Sequence, residues 1–231
     1  MIRLATTFAL AMLVSLVCWL VLDKTYANRS FASKEVQESL TVTEEHSAEL
    51  QLSRLKSDVI AFGMFAALLS GACGIVCVPK AGAANVVGSG LIGLLLGFAA
   101  GAAGAWLGHM HDARVVFIGE PMIYWFIRWL VILLPIGIAA GLAAYWKSQA
   151  RLLDAIVAGA IGASLAAVLF CLTMGSLTPI ELHVEIYPAH SSNRLLVLAL
   201  AAVCISGMLT FQLGRQAKAP TSAAPGEADL A

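Results

Sequence analysis

Charged side chains are scarce in this chain of 231 residues, because Lys, Arg, Asp and Glu together make up only 12% of it. Soluble domains are roughly one quarter charged, so the composition excludes an ordinary soluble fold. The formal net charge is zero, which removes any general electrostatic argument for nucleic acid as a partner. Hydrophobic residues make up 60% of the chain, and this balance predicts an integral membrane protein in contact with a lipid bilayer.

The sequence also lacks the marks of a disulfide-bonded or catalytic domain. All five cysteines lie in apolar stretches, which favours packing over a disulfide framework. No HExxH, GxSxG or P-loop motif occurs. The one formal match to a dinucleotide fingerprint, Gly88-x-Gly90-x-x-Gly93, lies inside an apolar run without the strand that the motif requires. We therefore expect no enzymatic activity and no cofactor, apart from the metal alternative described below.

Long apolar stretches are what the sequence has instead. Six of them are long enough to cross a hydrocarbon layer of roughly 30 Å as helices. They lie at about residues 4–22, 59–78, 82–108, 122–146, 152–174 and 195–213. The predicted fold class is all-α, an integral membrane bundle of six transmembrane helices with glycine-rich packing.

The domain organisation follows from these spans. Residues 1–22 are predicted to be a transmembrane signal-anchor, because an apolar stretch of 19 residues exceeds the roughly 7–15 residues of a signal-peptide core. Cleavage after Thr25-Tyr26-Ala27 is the alternative. Residues 23–57 are predicted to be an extramembrane helical segment that continues into the second span, with one helix from about 44 to 78. Residues 58–214 form a five-helix transmembrane bundle, and 215–231 a disordered tail.

Glycine is concentrated in the third span, where eight of the 27 residues in 82–108 are glycine. Gly93, Gly97 and Gly101 recur every fourth residue, so they share one helical face. In lipid, such a face lets a neighbouring helix approach backbone to backbone, as in a glycine zipper. Gly159 lies in a similar repeat of small residues in the fifth span. We predict that these four glycines are helix-packing positions.

Arg128 is the one ionisable residue clearly within a predicted span. Intramembrane charges are candidates for a functional site. However, Arg128 lies one turn beyond Tyr124-Trp125, an aromatic pair of the kind that marks the membrane–water interface. We therefore favour a side chain that extends to the interface over a working site inside the bundle.

Basic residues near the helix ends predict the orientation. They lie between the fourth and fifth spans and after the last span: Lys147, Arg151, Arg215 and Lys218. Residues 176–193 contain neither Lys nor Arg. The positive-inside rule then places both termini in the cytoplasm of a plasma membrane of the bacterial inner-membrane type. Five basic residues in 23–57 argue for the opposite orientation.

The predicted orientation places all five histidines on the outer side. His109, His111, Asp112, His183 and Glu185 have the ligand types that suit zinc or a similar divalent metal. The same residues also suit solvated loops, and the outer loops hold most of the extramembrane residues. We expect no bound metal, and a divalent ion at these five residues is the alternative.

These observations predict a structural or protein-interaction role in the membrane, with a second copy or other membrane proteins as the expected partners. A small channel or transporter is the alternative, because glycine faces and a kink at Pro135 suit moving helices. A metal-dependent membrane enzyme that uses the outer His, Asp and Glu residues is a further alternative.

Overall fold

The computed structural model describes residues 2–27, 44–76, 82–114, 121–145, 152–177 and 191–216. Almost all of these residues are helical, and they contain no strand. The six helices are α1 (Ile2–Ala27), α2 (Glu44–Val76), α3 (Ala83–Arg114), α4 (Pro121–Tyr145), α5 (Leu152–Leu177) and α6 (Ser191–Gln216). The predicted all-α class is confirmed.

Five of these helices are long and apolar enough to cross a membrane. Their spans are Ala48–Val76, Ala83–His111, Ile123–Tyr145, Leu152–Met174 and Ser191–Gln212. In lipid the backbone finds hydrogen-bond partners only within the helix, so sequences rich in glycine become helical there. The apolar stretch of α1, Ala5–Val21, is shorter than the other five. The chain is therefore a helical membrane protein.

The helices form a closed ring in chain order. Each helix packs on the next, and α1 packs on both α2 and α6. In addition, α2 contacts α4 across the middle of the ring. The centre is filled by large side chains, with the Trp129 ring 6.0 Å from Phe62 and 4.6 Å from Phe170. The core is thus an aromatic cluster where α2, α4 and α5 meet.

Helix α2 runs without a break from Glu44 to Val76, so the predicted boundary between residues 57 and 58 falls inside one helix. Ser53 and Ser57 on its first half are each 5% exposed and therefore face the bundle. This part of α2 packs against other helices along one side. Most of the predicted tail, residues 217–231, lies outside the described residues.

Candidate functional site

The buried charges of the bundle lie toward one end of it. Asp58 and Arg128 are each 3% exposed, and Arg194 is 8% exposed. At this end α1 and α3 finish while α4 and α6 begin. The end of α1 contacts the start of α6, and the end of α3 contacts the start of α4. Charges inside a membrane bundle are costly, and they commonly mark functional positions. We use the name polar cluster for five residues at this end of the bundle: Asp58, Arg128, Trp125, Tyr124 and His111.

Arg128 lies inside the bundle and not at the lipid surface. Its guanidinium carbon is 4.5 Å from the centre of the Trp125 ring, a distance typical of a cation–π contact. Trp125 is itself only 3% exposed. The expectation that Arg128 extends to the interface is therefore not what the structure shows. The reason is helix rotation, because the face that carries Trp125 and Arg128 turns toward the protein interior.

Asp58 is a member of the cluster that the sequence analysis missed. The second span was predicted to begin at residue 59, which left Asp58 outside the membrane. A signal for it does exist, because Asp58, Phe62, Phe65 and Leu69 follow each other at helical spacing, and all four are buried. One residue earlier, the Ser57 hydroxyl donates a hydrogen bond of 3.0 Å to the Ser53 carbonyl. A carboxyl group and a guanidinium thus enter the same end of the bundle on α2 and α4.

Tyr124 and His111 extend this aromatic group toward the end of α3. The His111 ring lies 5.0 Å from the Tyr124 ring, and the Tyr124 ring is perpendicular to Trp125 at 5.6 Å. His109 and His111 are both partly exposed. The cluster therefore runs from a buried guanidinium to a partly exposed imidazole.

The predicted metal ligands are only partly described. His109 and His111 lie near the end of α3, whereas His183, Glu185 and the side chain of Asp112 lie outside the described residues. Among the side chains that the structure does describe, no three of His, Cys, Asp or Glu come together as a metal site would require. The metal site remains a prediction.

The predicted packing glycines lie against the backbone of neighbouring helices. A Cβ atom added at Gly93, Gly97 or Gly101 would overlap a carbonyl of α2, those of Ser70, Ala66 and Phe62 respectively. We call these three α2–α3 contacts the glycine interface. A Cβ atom at Gly159 of α5 would overlap the carbonyl of Gly137 on α4. Gly137, which the sequence analysis did not single out, makes the reciprocal contact.

A second set of polar contacts joins α1 to α6, and we call it the polar interface. The Arg194 guanidinium lies 3.0 Å from the Asp23 carboxylate. The Trp19 indole N–H lies 2.9 Å from both the carbonyl and the hydroxyl of Ser191. Both contacts lie at the same end of the bundle as the polar cluster, so this end carries charge on four helices.

Two shallow grooves on the outside of the bundle have mainly apolar linings. One follows the outer face of α5 beside Val157 and Ile161, and the other lies between α3 and α4 beside Pro135. Grooves of this chemistry suit lipid acyl chains.

Comparison with protein-family models, curated proteins and solved structures finds no match to this chain.

Proposed function

We propose that this chain is a structural or protein-interaction component of a membrane. The observation that supports this function most is the backbone contact between helices at the glycine interface. Contacts of this kind hold two helices at a fixed distance along several turns, because any separation loses close packing at every glycine. Rigid joining of helices suits a scaffold.

The outward face of α3 is the surface that we propose for a partner. In α3 only 28% of an apolar 18-residue window is buried inside the bundle, compared with 61% of such a window in α2. Val87, Leu91 and Leu95 follow each other at four-residue spacing on this face and are 59%, 55% and 74% exposed. Side chains at this spacing form one continuous apolar ridge, which a helix of a second chain can pack against.

A photo-crosslinking amino acid at Leu95 tests this proposal in native membranes. We expect a discrete protein adduct, and its mass will distinguish a second copy of the chain from another membrane protein. The matched control is the same substitution at Leu153 on α5, which is 70% exposed. If Leu95 and Leu153 both give only lipid adducts, the interaction role proposed for α3 is wrong.

A small channel or transporter is the second candidate, and the buried charges favour it. Asp58 and Arg128 lie within membrane-spanning helices, and such charges often line ion or substrate pathways. Solute and ion flux into vesicles that contain the purified protein separates the two functions. The structural role predicts flux no higher than that of empty vesicles. Flux that disappears in an Arg128→Gln variant would instead support transport.

The metal-dependent enzyme has no support from the described side chains and stays an alternative prediction. We expect purified protein to contain no stoichiometric zinc or similar ion, as elemental analysis can measure. Stoichiometric metal that is lost in His111→Ala would make the enzyme the leading function.

We propose that both termini lie in the cytoplasm, on the distribution of Lys and Arg beside the spans. A cysteine at Ser192, an exposed position at the start of α6, should react with an impermeant reagent added to intact cells. A cysteine at Ser148 should not react. The reverse labelling pattern would invert the orientation.

A further inference from the structure

Side-chain contacts join α1 and α6 along most of their length. From one end to the other, they connect Thr7 with Thr210 at 3.3 Å, Ser15 with the Leu198 carbonyl at 3.1 Å, Trp19 with Ser191 at 2.9 Å, and Asp23 with Arg194 at 3.0 Å. The two helices are antiparallel, since Thr7 near the start of α1 contacts Thr210 near the end of α6, whereas Trp19 near the end of α1 contacts Ser191 at the start of α6. The polar interface is therefore continuous over about four turns of each helix.

The middle of this interface is buried, whereas its two ends are partly exposed and the Asp23 side chain is 33% exposed. Ser15 is fully buried, and Arg194 is 8% exposed. In a bilayer, polar groups on neighbouring helices pair with one another because no water reaches them there. The face of α6 that carries Ser191, Arg194 and Thr210 is thus complementary to α1 in both hydrogen-bonding groups and charge.

The length of α1 also suits a membrane crossing. Its 26 residues extend about 39 Å at 1.5 Å per residue, more than a hydrocarbon layer of roughly 30 Å. The apolar stretch Ala5–Val21 is short, but Asp23 beyond it is paired with Arg194. An ion pair at the end of a span places less unbalanced charge near lipid than a single carboxylate does.

We infer that α1 is a membrane-spanning helix of the finished bundle and that it docks on α6 through the polar interface, with Asp23 as the counter-charge of Arg194. This inference is independent of the proposed function. It distinguishes an integral sixth helix from a segment that is removed after Ala27, because removal would delete every α1 partner of α6.

Disulfide crosslinking of the full-length chain tests the inference. Thr7→Cys and Thr210→Cys are introduced together after the five native cysteines have been replaced, because the two hydroxyl oxygens lie 3.3 Å apart. A protease site is inserted between residues 28 and 43. After oxidation and cleavage, we expect α1 to stay attached to the remainder of the chain until a reductant is added. Thr7→Cys with Thr173→Cys is the control, because Thr173 lies at the opposite end of the bundle, and it should give no crosslink.

Three outcomes would overturn the inference. The first is an intact mass of the purified protein that corresponds to a chain starting near residue 28. The second is the absence of the Thr7–Thr210 crosslink, and the third is a crosslink found only between two chains. A charge variant provides an independent readout. Asp23→Asn should lower the melting temperature by more than Asp23→Asn with Arg194→Gln, because the single change leaves the guanidinium without this counter-charge. Equal losses in the single and double variants would mean that the ion pair does not couple α1 to α6.

Discussion

The glycine interface between α2 and α3 and the polar interface between α1 and α6 join helices in opposite ways. In the first, glycines of α3 lie against carbonyl groups of α2, and no side chain intervenes. In the second, the contacts are made by side chains that reach across: a serine, a tryptophan, a threonine pair and an ion pair. Both interfaces are antiparallel and both lie in the same bundle.

The difference teaches which property each interface depends on. The glycine interface depends on shape, because close approach of two backbones is possible only where Cβ atoms are missing. The polar interface depends on chemical pairing, because each group needs its partner at hydrogen-bond distance. Substitutions that add volume should therefore damage the first, and substitutions that remove a polar atom should damage the second.

The largest effect is expected from Gly97→Leu. The new side chain would overlap the backbone of Ala66 and Ala67, which cannot move aside as a side chain can. Overpacking of a close-fitted interior costs about 1–3 kcal/mol, and this site should lie at the upper end of that range. Thermal unfolding in detergent measures the loss, and gel filtration reports particle size. A lower melting temperature at constant size is expected, whereas a smaller particle would show that the glycine face joins subunits.

The control for this change is Gly88→Leu on the same helix. A Cβ atom at Gly88 meets no other atom within 4 Å. This variant should keep the melting temperature of the parent or exceed it slightly. If it loses as much stability as Gly97→Leu, the loss is a general effect of leucine in α3 and not a property of the glycine interface.

A smaller effect is expected from Arg128→Lys, which tests chemical pairing inside the core. The flat guanidinium lies over the Trp125 ring, and a lysine ammonium does not reproduce that stacking. Cation–π contacts contribute about 0.5–2 kcal/mol, so the free energy of unfolding should fall by an amount within that range. Tryptophan fluorescence followed during thermal unfolding can measure it. A lysine variant as stable as the parent would restore the earlier expectation that Arg128 extends to the interface.

The smallest effect is expected from Ser15→Ala in the polar interface. The change removes a hydroxyl that donates both to the Leu198 carbonyl at 3.1 Å and to the Ala11 carbonyl of its own helix at 2.9 Å, and it adds no volume. Hydrogen bonds between membrane helices contribute about 0.6 kcal/mol on average and at most about 1.7 kcal/mol. Ser164→Ala on α5 is the control, because the Ser164 hydroxyl donates to Ala160 within its own helix. If both variants lose the same stability, the hydrogen bonds of the polar interface contribute nothing special to the docking of α1.

The sequence predicts the helical bundle well because hydropathy and chain length decide which stretches become membrane helices. The four-residue spacing of the glycines also predicts which face of α3 lacks large side chains, since an α-helix has 3.6 residues per turn. The rotation of α4 is not encoded in such local patterns, so the sequence does not predict the burial of Arg128 and Trp125. It does not predict the burial of Asp58 either, because a charged residue next to an apolar stretch is expected to lie outside the span.

The polar interface could not be predicted at all. Ser15 and its partner Leu198 are 183 residues apart, and a serine in an apolar helix has no local signal that names its partner. The same holds for Asp23 and Arg194, which lie near the ends of two helices far apart in the chain. Such pairs follow from the order in which helices close the ring, and this order is a property of the whole fold.

The most direct test of the glycine interface is the pair Gly97→Ala and Gly88→Ala, because each adds a single methyl group to α3. At Gly88 the methyl group meets nothing, so the gain in helix propensity, roughly 0.5–1 kcal/mol, should raise the melting temperature. At Gly97 the methyl group overlaps the Ala66 carbonyl, so the melting temperature should fall. Shifts of opposite sign, measured under identical detergent conditions, are the predicted result. A rise in both variants would contradict a backbone-to-backbone interface between α2 and α3.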